Sequence, residues 1–147
     1  FVLVGDPDLD NPASVPETIL SAWQKENVVE WWGHRDDMAT VFNSAHVACL
    51  PSYREGLPKV LLEAAACGLP IVTTDVPGCR EVVCDGENGL LVPVRDAKAL
   101  ADAMLRLIKS PELRIQMGHR SREIVLKEFS SEKVIAHTLD LYKELIE

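Results

Sequence analysis

Five short apolar segments, separated by helical segments, constrain the fold of this chain more than any other feature of its sequence. Each segment is mostly apolar rather than alternating, and each ends at a Gly, a Pro or another turn residue, which is typical of strands buried on both faces. The alternation with helices predicts a parallel sheet covered by helices on both faces. The five predicted strands are Phe1–Val4, Val28–Trp32, His46–Leu50, Ile71–Thr74 and Leu90–Val92.

The helical segments carry start and stop signals. Ser14–Glu17 has the S-x-x-E spacing of a capping box and predicts a helix to about Glu26. The strongest predicted helix runs from Pro58 to Cys67, because Pro suits a first turn and Gly68 suits a stop. The predicted fold is therefore a Rossmann-like α/β domain of about five strands with a C-terminal helical tail. Further helix starts are predicted at Asp36 or Asp37, Asp96, Ser110-Pro111, and Ser130 or Ser131.

Composition and charge exclude several classes of protein. The net charge of −8 argues against nucleic-acid binding, which needs clustered Lys and Arg. No apolar run approaches the roughly 20 residues that cross a bilayer. Four cysteines without CxxC spacing predict reduced thiols and a cytoplasmic location. The run Asp6, Asp8, Asp10 lacks the Gly and Glu that a calcium loop requires, so it predicts a solvated loop and no metal site.

The loop after the third predicted strand concentrates groups that can bind a ligand. Gly56 allows a ligand to approach the backbone closely, and the helix start near Pro58 offers free N–H groups to an anion. Glu55 precedes this helix start and Glu63 follows eight residues later. Because carboxylates accept hydrogen bonds from hydroxyls, a ligand with a phosphate centre and hydroxyls on both sides fits this arrangement. A nucleotide sugar is such a ligand.

From the residues alone, two interpretations of these carboxylates stay open. Glu63 could be a solvated helix residue, with Glu55 interacting only with the helix dipole. However, Glu63 lies within the apolar stretch Leu61–Ala66, where we expect it to be buried and to need a partner. From the residues alone, the functional interpretation and the solvated-helix interpretation are therefore evenly balanced.

The residues around the two carboxylates resemble a known family. Glu55 and Glu63 form the E-x7-E motif of glycosyltransferase family 4, also called group 1, which has the GT-B fold. Further strings match the family in the same order along the chain, and together they resemble the C-terminal, donor-binding half of capsule, lipopolysaccharide and lipid-linked-glycan transferases. The matching strings are Pro51-Ser52, Glu63-Ala64, Cys67–Pro70, Pro77-Gly78, Glu81–Val83, Asp85-Gly86, Asn88–Val92, Phe129-Ser130 and Leu141-Tyr142.

The resemblance implies roles for individual residues. Glu63 would accept hydrogen bonds from the ribose, and Glu55, the candidate catalytic residue, would contact the transferred sugar. The amides of Gly56 and Leu57 would face the diphosphate. In addition, the turn Gly33-His34-Arg35 would border the nucleobase.

The resemblance also implies what the chain lacks. The family's first strand, with an Arg and a Lys that hold the diphosphate, has no counterpart here, which leaves Arg54 and Lys59 as phosphate candidates and Arg80 as a further basic group. No metal or other cofactor is implied. We expect residues 1–147 to be one donor-binding domain of a longer protein, without its first strand and without the N-terminal acceptor domain.

The implied activity is retaining transfer of a sugar from a UDP-sugar to an acceptor glycan or lipid-linked saccharide. The fragment alone is expected to bind donor weakly and to transfer nothing. The longer protein is expected in the cytoplasm, including the cytoplasmic face of a membrane. Two alternatives remain, namely a sugar-nucleotide epimerase with the same domain and a non-catalytic Rossmann-like binding module.

Overall fold

The computed structural model describes residues 1–12 and 14–146. These residues form two compact units, a first unit of Phe1–Met38 and a second unit that starts at Ala39.

The first unit contains a short parallel strand pair and one helix. Strand β1 (Val2–Leu3) pairs with β2 (Glu30–Trp31), and helix α1 (Glu17–Lys25) lies between them in sequence. The predicted capping box is wrong: α1 follows Pro16, which is its N-cap, and no side chain caps it. The Ser14 hydroxyl lies too far upstream to reach the helix amides and instead accepts a hydrogen bond from the Asp8 N–H at 2.9 Å.

The second unit is built on three parallel strands in the order β3-β4-β5. All four residues of the central strand, β4, are buried. The elements of this unit are α2 (Met38–Asn43, which begins at the boundary), β3 (Ala48–Leu50), α3 (Lys59–Ala66), β4 (Ile71–Thr74), α4 (Pro77–Val82), β5 (Gly89–Val92), α5 (Ala97–Lys109), α6 (Pro111–Glu128) and α7 (Ser131–Ile146). The parallel α/β fold with a helical C-terminal part is confirmed, with the five strands hydrogen-bonded as a pair and a trio.

Helices α5 and α6 close a core against the sheet. Val72 of β4 and Leu90 of β5 pack with Leu107 of α5 and Met117 of α6 in one buried cluster. Since these side chains come from four elements, the cluster fixes both helices on the strands.

Three predicted helix caps are confirmed, and each depends only on neighbouring residues. The side chain of Asp96 accepts a hydrogen bond from the Ala99 N–H, and the hydroxyls of Ser110 and Ser130 accept hydrogen bonds from the N–H three residues on.

In the described part of the chain, no helix has the length and apolar character needed to cross a membrane.

Candidate functional site

The loop from Pro51 to Pro58 is fastened to the central strand of the second unit. The Thr73 hydroxyl donates to the Leu50 carbonyl at 2.7 Å, and the Thr74 hydroxyl donates to the Ser52 carbonyl. Both threonines are buried at the carboxyl end of β4. Because ligands of parallel α/β sheets bind at this edge, the two threonines set the start of a candidate ligand-binding loop.

Helix α4 packs directly on the same loop through a glycine. A Cβ atom placed on Gly78 would lie 2.0 Å from the carbonyl oxygen of Gly56 and 2.6 Å from that of Glu55. Real Cβ atoms do not come this close to backbone, so only glycine fits at position 78. Pro77 and Gly78 open helix α4, which therefore packs against the candidate site at its first turn.

Glu55 is half-buried and its carboxylate is held by a neighbour. The Ser52 hydroxyl donates a hydrogen bond to Glu55 Oε1 at 2.5 Å. Next to Glu55, the backbone of Gly56 is exposed, and a Cβ atom built there would meet nothing within 4 Å. Gly56 is therefore not required by packing inside the protein, and the space beside it is open to a ligand.

The start of α3 leaves backbone donors free. Pro58 is the N-cap and offers no side-chain acceptor. Within residues 1–12 and 14–146, no acceptor meets the backbone N–H of Gly56, Leu57, Lys59 or Val60. Four free N–H groups at the positive end of a helix dipole form an arrangement that binds anions.

The expectation that Glu63 is buried is wrong. Its side chain is 38% exposed and forms an ion pair with Lys59, one helical turn away, at 3.2 Å. The buried face of α3 is carried by Leu61, Ala64 and Ala65, which leaves Glu63 on the flank. Glu63 therefore has the partner that a carboxylate needs and is still accessible to a ligand.

Basic groups near this loop differ in how they are engaged. Lys59 is paired with Glu63, and Arg80 is paired with Asp75 at 2.5 Å, a hydrogen bond that raises the pKa of the Arg80 guanidinium. Arg54 has neither a hydrogen bond nor an ion pair in the part of the chain that is described. Of the phosphate candidates, Arg54 is thus the cation left available to a ligand.

A further cation beside the loop, Arg95, was not predicted from the sequence. It lies in the loop after β5, and its guanidinium carbon sits 5.3 Å from the centre of the Tyr53 ring, within cation–π range. Its backbone is left-handed, with a φ of 61°. This loop lies at the carboxyl end of β5, the edge where ligands of parallel sheets bind, but nothing in the local sequence singled out Arg95.

The remaining predicted residues, Gly33, His34 and Arg35, lie in the first unit, in the turn after β2. Gly33 has a φ of 64° and accepts a hydrogen bond from the Gly5 N–H at 2.8 Å. The His34 N–H donates to Asp6 at 3.0 Å, so Asp6 serves as a turn acceptor. The turn after β2 is therefore fastened to the loop after β1.

The charged side chains of this turn are paired and exposed. Arg35 donates to Asp37 through two nitrogens, which lowers the pKa of the Asp37 carboxyl, and its guanidinium lies 5.8 Å from the Trp32 ring. His34 contacts Asp36 at 3.1 Å. Across the described ranges, no three His, Cys, Asp or Glu side chains are grouped as metal ligands would be.

Comparison with known proteins gives one consistent family. A family model described as "Glycosyl transferases group 1" matches residues 1–110. The chain is 32% identical over 147 residues to "Capsular polysaccharide biosynthesis glycosyltransferase CapM" of Staphylococcus aureus, an alignment covering 99% of the chain and 38% of the relative. The chain spans 32% to 38% of the length of three curated relatives that it matches.

Solved structures agree on the fold. Sucrose-phosphate synthase from Thermosynechococcus elongatus has a TM-score of 0.87 and 33% identity, covering 99% of this chain and 38% of that one. Anabaena HepE in complex with UDP-glucose has a TM-score of 0.82 and 25% identity, covering 95% and 40%.

Proposed function

The chain belongs to the group 1 glycosyltransferases, and from this membership we propose that it is the nucleotide-sugar-binding domain of a retaining glycosyltransferase. The observation that carries the proposal is the start of α3, where four backbone N–H groups without acceptors lie between Glu55 and Glu63 among the residues described. In this arrangement, N–H groups that can donate hydrogen bonds to an anion are flanked on both sides by carboxylates that can accept hydrogen bonds from hydroxyls.

The diphosphate is proposed to bind the free N–H groups of Gly56, Leu57 and the first turn of α3. The helix dipole favours the negative charge at this point. Arg54, which has no partner within the described residues, supplies a positive charge, and Lys59 supplies a second beside its ion pair with Glu63. The open space at Gly56 supports a close approach of the phosphates to the backbone.

The hydroxyls on either side of the diphosphate are assigned to the two carboxylates. Glu63 accepts from the ribose, and its exposed position on the flank of α3, with Lys59 restraining it, supports that role. Glu55 accepts from the transferred sugar. One of its oxygens is occupied by Ser52, so the other remains to accept a sugar hydroxyl.

Chemistry at this site is proposed to be electrostatic rather than covalent. As the bond between the anomeric carbon and the diphosphate breaks, negative charge develops on the leaving oxygen beside the start of α3, where preorganised N–H groups stabilise it. Glu55 holds the sugar so that an acceptor oxygen replaces the diphosphate on the same face of the anomeric carbon. No metal or other cofactor is assigned a role.

The donor is proposed to be a UDP-sugar, and HepE, crystallised with UDP-glucose, supports this choice. The assignment of Gly33, His34 and Arg35 to the nucleobase stays a prediction from the family resemblance. The acceptor, a glycan or lipid-linked saccharide, is assigned to a further domain of a longer protein. The proposed setting is the cytoplasm, because the four cysteines are free thiols.

Calorimetric titration of the chain with UDP, GDP and ADP tests this proposal. We expect saturable binding of UDP alone, and a loss of affinity of at least about tenfold in Glu63→Gln, because the charged acceptor of the ribose hydroxyls is replaced by a neutral amide with one acceptor oxygen. Asp102→Asn is the matched control, since Asp102 forms an ion pair of the same spacing with Lys98. Absence of UDP binding, or an equal loss in the control, contradicts the proposal.

A second measurement addresses the reaction. The chain mixed with UDP-glucose or UDP-N-acetylglucosamine and saccharide acceptors should give no multiple turnovers, whereas the longer protein should give an acceptor glycoside. Release of an epimerised nucleotide sugar by the longer protein would favour the epimerase alternative instead.

A further inference from the structure

The carboxylate of Glu55 is held before any ligand arrives. Ser52 donates its single hydroxyl hydrogen to Glu55 Oε1, and the distance of 2.5 Å is that of a charge-assisted hydrogen bond. In the part of the chain that is described, no other side chain or backbone group bonds this carboxylate. Ser52 therefore determines which way the Glu55 side chain points.

Ser52 is itself fixed at both of its backbone polar groups. Its N–H donates to the Leu50 carbonyl at 3.0 Å, and its carbonyl accepts from the hydroxyl of Thr74. Thr74 is 3% exposed and lies at the end of the central strand, β4. A hydrogen-bond relay thus runs from the most buried strand of the second unit, through Thr74 and Ser52, to the carboxylate of Glu55.

The relay has a physical consequence for binding. A free Glu side chain samples several rotamers, and a ligand that needs one of them must select it at an entropic cost. Ser52 selects a rotamer in advance and occupies Oε1, so Oε2 remains for a ligand. The hydroxyl at position 52 therefore acts on the ligand only through Glu55.

We propose that Ser52 is a positioning residue that presets the Glu55 carboxylate for the sugar of the donor, with Thr74 as its anchor. This inference rests on the proposed function, in which Glu55 contacts the sugar and Glu63 the ribose. It assigns Ser52 to recognition of the sugar and not of the nucleotide. Consequently, the loss of the Ser52 hydroxyl affects nucleotide sugars and leaves UDP binding unchanged.

The test measures the affinity of the chain for UDP, UDP-glucose and UDP-N-acetylglucosamine by calorimetry. Ser52→Ala is expected to weaken binding of a nucleotide sugar about fivefold and to leave UDP affinity within about twofold. Ser52→Thr, which keeps a hydroxyl, should restore the nucleotide-sugar affinity. Ser44→Ala, the same chemical change at an exposed site in the second unit, is the control and should change no affinity.

The dependence on Glu55 is tested in a double-mutant cycle. In a Glu55→Ala background, which removes the acceptor of the Ser52 hydroxyl, Ser52→Ala should have less than about twofold effect, because the hydroxyl acts through the carboxylate. An equal loss for UDP and the nucleotide sugars, an undiminished effect in the Glu55→Ala background, or no effect of Ser52→Ala would overturn the role of Ser52. The proposed function would still be supported by UDP binding and by its loss in Glu63→Gln. A chain that binds no UDP overturns the proposed function, and the role of Ser52 with it.

Discussion

The two ends of helix α3 are built in opposite ways. At its C-terminal end the carbonyls of Glu63, Ala64 and Ala65 accept hydrogen bonds from the N–H groups that follow, and the Ala66 carbonyl accepts from Arg122 Nη1 at 2.5 Å. At its N-terminal end the first N–H groups have no acceptor within the described residues. Since buried polar groups of a backbone are normally paired, the unpaired end is the one that faces outward and is available to a ligand.

Two glycines repeat the contrast. A Cβ atom on Gly118 of α6 would lie 2.1 Å from the carbonyl oxygen of Gly68, directly after α3. A Cβ atom on Gly56, before α3, would meet nothing. Both positions are glycine, but the first is required by packing inside the protein and the second has room for a ligand beside it.

The largest effect is expected from Gly118→Ala. The added methyl group collides with the Gly68 carbonyl and separates α6 from α3, so the free energy of unfolding should fall by about 3 kcal/mol. Without the collision the same change would raise stability by about 1 kcal/mol, because Ala favours a helix more than Gly does. Urea denaturation followed by circular dichroism distinguishes the expected fall in the free energy of unfolding from such a rise. Gln116→Ala, on the exposed face of α6, is the control.

Gly56→Ala should have the reverse profile. Its backbone φ is not in the left-handed region and its surroundings are open, so the free energy of unfolding should change by less than about 0.5 kcal/mol. The methyl group occupies the space proposed for the diphosphate, so UDP affinity should fall at least about tenfold, or about 1.4 kcal/mol. Gln116→Ala again provides the reference in both assays. Unchanged UDP affinity would mean that the space beside Gly56 holds no ligand.

Features set by neighbouring residues were predictable from the sequence. Both ends of α3 follow from Pro58 and Gly68, and the caps at Asp96, Ser110 and Ser130 follow from a side chain reaching an amide three residues away. The capping box at Ser14 had the right spacing and was wrong, because Pro16 takes the cap position. A local pattern therefore predicts well only where its surroundings allow the geometry.

Features set by distant residues were not predictable in this way. The bond from Thr74 to Ser52 and the contact of Gly78 with Gly56 depend on the register of β3 against β4 and on the position of α4. The same is true of Arg95 above Tyr53. Glu55 and Glu63 were predictable from their motif, whereas the residues that fix Glu55 depend on how β3 and β4 lie side by side.

The smallest effect tests whether the two ends of α3 act independently. Arg122→Met keeps the apolar stem of the side chain but removes the hydrogen bond to the Ala66 carbonyl, so the free energy of unfolding should fall by about 0.5–1 kcal/mol. UDP affinity should not change, because the N-terminal donors are unaffected. Arg106→Met, at an exposed position of α5, is the control. In the double variant with Gly56→Ala, the changes in the free energy of unfolding should add, and the loss of UDP affinity should equal that of Gly56→Ala alone. A loss of UDP affinity in Arg122→Met would show that the C-terminal end of α3 also sets the geometry of the N–H donors at its N-terminal end.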